Sequence, residues 1–112
     1  VGTSNTFGYK LAVNGTIGAT EVIVETTSAW PDYVFSSDYE LMPLEEIEKF
    51  IQSNHHLPEI PSAEDVEANG VQLGEMNRLL LQKIEELTLH TIRQEKLIET
   101  MQKEINELKG EK

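Results

Sequence analysis

Residues 73–108 read LGEMNRLLLQKIEELTLHTIRQEKLIETMQKEINEL, and apolar side chains recur through them at alternating steps of three and four. Taking Leu73, Asn77, Leu80, Ile84, Leu87, Thr91, Gln94, Ile98, Met101, Ile105 and Leu108 as one seam gives an unbroken heptad phase over about five heptads. That spacing predicts a coiled coil, a rod on the order of 50 Å long at about 1.5 Å per residue. A single short chain has little mass to cover such a stripe, so the seam implies further copies of the same chain.

With Asn77 in the a phase and Leu73 in the d phase, the a sites hold Asn77, Ile84, Thr91, Ile98 and Ile105, and the d sites are mostly Leu. Ile at a with Leu at d favours two strands, as does a lone Asn at a. Met76, Leu81 and Leu97 widen the apolar face at the flanking e and g positions, which suits three helices, or two with another element packed on them. Periodicity alone leaves dimer and trimer open. The polar layers at Thr91 and Gln94 are expected to set register at some cost in stability.

Working outward, residues 1–8 are small and polar, the expected tail of a preceding repeat or linker. From Tyr9 the pattern alternates, with Tyr9, Leu11 and Val13, then Asn14-Gly15, then Ile17, Ala19 and the β-branched run Glu21-Val22-Ile23-Val24-Glu25. This predicts two strands about a turn. A two-residue hairpin would set the apolar residues of the two runs on opposite faces, so pairing with neighbouring chains, as in a fibre shaft, is the preferred expectation. Thr26 to Asp32 is a polar connection, and Tyr33-Val34-Phe35 is a strand candidate that with Trp30 should contribute to the core. Pro43 opens an amphipathic helix to Ser53 with Leu44, Ile47, Phe50 and Ile51 on one face. A Pro-punctuated connection, Asn54 to Pro61, precedes a short helix capped by Ser62-Ala63-Glu64-Asp65 and stopped by Asn69-Gly70. Gly74 weakens helix by about 1 kcal/mol relative to Ala, so the rod is expected to become regular near Glu75.

The chain has 112 residues, 20 acidic against 9 basic, for a formal net charge of −11. Such a surface repels phosphates and anionic membranes, which argues against nucleic-acid and membrane partners. No apolar run is long enough to span a bilayer. Beginning at Val1 rather than Met, the chain is expected to be a processed or excised piece of something longer, with the parent's targeting unknown. The absence of cysteine removes disulfides and thiolate metal sites.

This order of elements, a β-rich Tyr-Lys-Leu-Ala-Val-Asn-Gly stretch, an aromatic strand, a Ser-Asp motif, a short helix, a Leu-Pro-x-Ile-Pro loop and a terminal coiled coil, resembles the endosialidase-type intramolecular chaperone domain. That domain closes phage tail fibres and tailspikes, and the form here is similar to the one on fibre-like and surface proteins of Bacteroidetes. The resemblance covers nearly the whole chain from Tyr9. It implies a homotrimer that registers an upstream fibre shaft, exposed on a virion, particle or cell surface, with a receptor- or glycan-binding tip as the alternative role. It also implies an α+β fold in three parts: the end of a β-rich shaft (1–25), a small α+β region (26–72) and a coiled-coil trimerisation helix (73–112).

Many members of that family cut themselves with a serine nucleophile and a lysine base five residues on. Laid on this chain, the serine is Ser37, the aspartate Asp38 and the leucine Leu41, but Glu40 stands for the arginine and Met42 for the lysine. A thioether cannot take the serine's proton, and Lys49 lies about two helical turns beyond Pro43, so Ser37 is a vestigial position and no self-cleavage is expected. A polar turn or cap is the plainer reading of Ser36-Ser37-Asp38. The pair His55-His56 points its rings apart in a strand or loop, leaving one histidine per chain on a threefold axis as the alternative way to build a metal site. Glu64, Asp65 and Glu67 lack the spacing of a calcium loop, so no metal site, cofactor or enzyme activity is expected. His90, at g, is expected to face Glu95 of a neighbour, and Glu104 to face Lys109, in parallel helices.

Overall fold

The computed structural model describes residues 1–25 and 30–110. Along the chain come a 3-10 helix Pro31–Phe35, then α1 Leu44–Asn54, α2 Ala63–Asn69 and α3 Leu73–Gly110. The described residues are therefore all-helical, which corrects the α+β expectation: no β-rich shaft segment forms over 1–25. The polar connection expected over Thr26 to Asp32 lies outside the described residues for 26–29, as do Glu111 and Lys112 at the end of the rod.

The reason for that correction is pairing. A strand holds only when its backbone groups find a neighbouring ladder, and the two runs around Asn14-Gly15 share no face on which a common core could form. Instead the segment makes isolated turns. Tyr9 N–H donates to the Thr6 carbonyl at 2.9 Å, with Phe7 and Gly8 both at positive φ (52° and 88°). Asn14 N–H reaches the Val1 carbonyl at 2.9 Å. Tyr9, Leu11, Ile17, Val22 and Ile23 all remain exposed.

The expected strand Tyr33-Val34-Phe35 is also corrected, to one 3-10 turn. Trp30 is extended (ψ 144°), as the residue before a proline prefers, and Pro31 brings the fixed φ that opens a helical turn. Ser36 N–H closes it on the Tyr33 carbonyl at 3.1 Å. With three residues per turn, Pro31 and Val34 fall on the same side, and these two are buried, Val34 to 1 % exposure. Trp30, expected in the core, stands outside it at 54 % exposure.

α1 begins where Pro43 predicts: the Pro43 carbonyl accepts from Glu46 and Ile47 N–H at 3.0 and 3.1 Å, and Glu45 and Glu46 occupy the favourable end of the dipole. Ile47 and Phe50 are half-buried on its inner face. His55 ends it in the left-handed conformation (φ 60°), its N–H on the Ile51 carbonyl at 2.7 Å, a place usually taken by Gly. Leu57-Pro58-Glu59-Ile60 then makes a tight turn, with Ile60 N–H on the Leu57 carbonyl at 3.2 Å and Glu59 at φ 70°. In α2 the Ser62 hydroxyl accepts from Asp65 N–H at 3.1 Å, and Gly70 (φ 69°) supplies the stop.

α3 runs 38 residues, within overall extents of 81 × 32 × 28 Å. It starts at Leu73 rather than near Glu75, because Met76 N–H already bonds the Gln72 carbonyl at 2.8 Å. Gly74 has a packing role there: a Cβ on it would come within 2.6 Å of Val24 Cγ1, so the Val24 side chain sits against the helix in space that any larger residue would contest.

Candidate oligomerisation interface

Continuing the heptad lettering along α3, Arg78 and Glu85 fall at b, Leu79 and Glu86 at c, and Gln82 and Leu89 at f. The rest of the chain covers these outward positions and, in the upper half, the flanking g residues Met76, Lys83 and His90 and the e residues Gly74 and Leu81. Leu79, Gln82 and Glu85 are buried, and Arg78, Glu86 and Leu89 are half-buried.

A continuous polar clasp makes this attachment. The Tyr33 hydroxyl donates to Gln82 Oε1 and accepts from Arg78 Nη1 at 3.0 Å, while Arg78 holds Glu75 in a two-pronged pair through Nε (3.1 Å) and Nη2 (2.5 Å). Gln82 Nε2 donates to Glu59 Oε1 at 2.9 Å, and Lys83 Nζ bridges Glu59 and Glu86 at 3.1 Å each. Those bonds fix the Glu59 turn despite its positive φ. The Tyr39 hydroxyl donates to Glu86 Oε2, and the Tyr33 and Tyr39 rings stack with centroids 5.9 Å apart. Lower down, His90 Nε2 lies 3.0 Å from the Met42 carbonyl and so donates its proton there. His90 is 7 % exposed and committed within its own chain, which corrects the expectation that it meets Glu95 of a neighbour.

The electrostatics follow from the same contacts. The Arg78 guanidinium holds the Glu75 carboxyl below the usual range, and Glu75 raises the Arg78 value in turn. Burial and the bond to Glu86 push the Tyr39 phenol up. Glu85 is the discord: at 6 % exposure, its Oε2 has no hydrogen-bond partner among the described residues. Burial first, and the Asp32 charge second, push its carboxyl up from the ordinary value.

The seam residues occupy the other side of the helix and are bare. Leu73, Leu80, Ile84, Leu87, Ile98, Met101, Ile105 and Leu108 are between 46 % and 68 % exposed, and Asn77, Thr91 and Gln94 are exposed among them. Between the clasp and this stripe lies an apolar groove of about 480 Å³, walled by Leu41, Met42, Leu44, Ile47 and Leu57 and floored by Leu80, Ile84 and Leu87. Lys83 and His90 place it on the g side.

Ser37 is exposed in a turn where the Ser36 hydroxyl donates to Asp38 Oδ1, holding that carboxyl below its usual range, and Tyr39 N–H meets the Ser36 carbonyl at 3.1 Å. The two adjacent histidines diverge. His55 caps α1, and His56 sets its ring edge against Phe50 (5.4 Å between centroids) with Nδ1 2.8 Å from the Leu57 carbonyl. Among the described residues no group of three or more His, Asp or Glu side chains could hold a metal ion, and no helix is long and apolar enough to cross a membrane.

Of the clasp residues, Tyr33 is expected from sequence only as part of a core strand, and Tyr39, Glu59, Arg78, Gln82 and Lys83 carry no expected role. The signal available was the mixed b, c and f face itself, where Arg78, Leu79, Gln82, Glu85, Glu86 and Leu89 recur at helical spacing between the charged residues expected of a solvated face. No family model, no curated protein and no solved structure matches the chain.

Proposed function

We propose that this chain is a homotrimeric assembly module, a cap that holds three copies of a fibre protein in register through parallel winding of α3, and that it does so without cutting itself. One observation carries the reading. The a and d stripe is exposed along the whole helix from Leu73 to Leu108, while the chain's own mass lies over the opposite face and the g flank of the upper half. Covering a half-exposed Leu, Ile or Met is worth roughly 1 kcal/mol, so eight such side chains contribute about 8 kcal/mol per copy, the same order as the cost of association.

Three copies rather than two are favoured by the exposed apolar flank at Leu97 and by the resemblance, of which the short helix, the Leu-Pro-x-Ile-Pro turn and the long terminal helix remain after the β-rich stretch and the aromatic strand are set aside. The resemblance also motivates a place on an extracellular or virion fibre. The absence of a base for Ser37 supports a cap that stays attached, since Met42 has no basic atom to activate the hydroxyl.

Light scattering coupled to size exclusion tests this directly. About three times the chain mass of 12.7 kDa is expected. A monomer at micromolar concentration overturns the reading, and twice the mass replaces it with a dimeric stalk. A second reading, a receptor- or glycan-binding tip, draws on the exposed rings of Trp30 and Phe35, which could stack on sugars. Blue-shifted Trp30 emission in the assembled particle, together with silence on a glycan array, would end it.

A further inference from the structure

The groove beside the stripe is not a separate feature from the seam. Its floor is made of Leu80, Ile84 and Leu87, which are d, a and d positions, so whatever covers the stripe at this level also stands at the groove's mouth. Several of its charged and polar edges are already satisfied from within: Lys83 by Glu59 and Glu86, Glu86 by Tyr39, and His90 by the Met42 carbonyl. What it offers outward is the apolar side of Met42, Leu44 and Leu57, all of them exposed, with the Glu40 carboxylate exposed at the rim.

In parallel helices the g side of one copy faces the e side of the next. The e positions of α3 run Gly74, Leu81, Thr88, Glu95, Gln102 and Lys109. At the level of the groove they are uncharged; below it, where the chain carries no shoulder, they become charged or amide. The change in polarity coincides with the end of the groove near His90.

We infer that the groove is closed by the helix of a second copy of this chain, whose Leu81 and Thr88 flank docks between the shoulder wall and the shared floor. This rests on the assembly reading above and deepens it: the shoulder becomes a clamp across the boundary between protomers. The clamp fixes which neighbour is met and in which direction, information that the a and d layers carry only through Asn77, Thr91 and Gln94. An isolated chain leaves the groove open along its mouth and therefore incomplete.

Because the chain has no cysteine, cross-linking reads this cleanly. Full-length Leu57→Cys and Thr88→Cys chains, separately tagged, are mixed by unfolding and refolding, treated with a short bismaleimide and resolved by denaturing mass analysis. The expected result is a Leu57–Thr88 product between differently tagged chains, at least tenfold more abundant than when Gln102→Cys replaces Thr88→Cys. The mass of the unmodified particle is measured alongside. A trimeric particle that gives no Leu57–Thr88 product, links through Gln102→Cys instead, or binds one apolar dye per chain against Leu57 overturns the clamp and leaves the seam standing. A monomeric particle overturns both.

Discussion

The two halves of α3 differ in what surrounds them. From Leu73 to His90 the helix carries the 3-10 turn, the Glu59 turn and the loop before α1 on its outward face, while from Thr91 to Gly110 every residue is exposed. Yet the apolar stripe runs through both halves in the same phase. Had the stripe served to hold the shoulder, it would stop with the shoulder. Its continuation over a stretch where every residue is exposed, about five turns of helix that would be marginal alone in water, is the feature the proposed assembly accounts for.

The hardest test of that contrast is Ile98→Asp, in the bare half. The side chain touches nothing of its own chain, so the single-chain fold should be unchanged, but three carboxylates would be brought together at one a layer. If the proposed trimer forms, loss of its mass is the expected outcome in light scattering, a penalty on the order of several kcal/mol per particle by the cost of burying charge. A trimer that survives Ile98→Asp would mean that the lower half is not an interface, and the comparison breaks.

Val34→Ala probes the other half. Val34 is fully buried against α3, and removing two methyl groups there should cost about 2 kcal/mol, seen as a lower melting temperature of the shoulder while the assembled mass persists. Coincident loss of mass and shoulder would show that the halves are one cooperative unit rather than two.

A smaller and pH-dependent effect is expected of Glu85→Gln. The folded-state value of Glu85 is raised, so the native chain binds more protons than the unfolded one through the range above the ordinary glutamate value, and stability falls as pH rises through it. Removing the charge should raise stability at pH 7 by about 1 kcal/mol, the order of a buried unpaired polar group, and the advantage should vanish near pH 4. Denaturant midpoints at the two pH values measure it, and equal shifts at both would mean that Glu85 finds a partner in solution.

The smallest change is Gly74→Ala. Helix propensity alone gains about 1 kcal/mol, but the new Cβ would collide with Val24. Unchanged or greater helicity together with faster proteolysis of residues 1–25 is expected; protection of that segment would show that its contact with α3 is incidental.

Local rules made much of the helical part legible. Pro43, the Ser62 cap with Asp65, the Gly70 stop and the heptads each act within a few residues or along one period, and each is found where its chemistry places it. The outward face of α3 was legible only as polar. The clasp joins Tyr33 to Gln82 and Glu59 to Lys83 across long stretches of chain, and no short-range pattern announces which polar residues will be partners.

Sequence by itself determined that residues 73–108 form one long helix with a continuous apolar stripe, because helix period and hydrophobic spacing are the same local quantity. Tertiary structure decided the rest: that β-branched residues 17–25 form no ladder without a strand to pair with, that Tyr33-Val34-Phe35 turns rather than extends so that Pro31 and Val34 reach α3 together, and that His90 faces inward to Met42. Each depends on which distant surface was available to satisfy a backbone group or bury a side chain, and that is a property of the packed molecule rather than of any one stretch of chain.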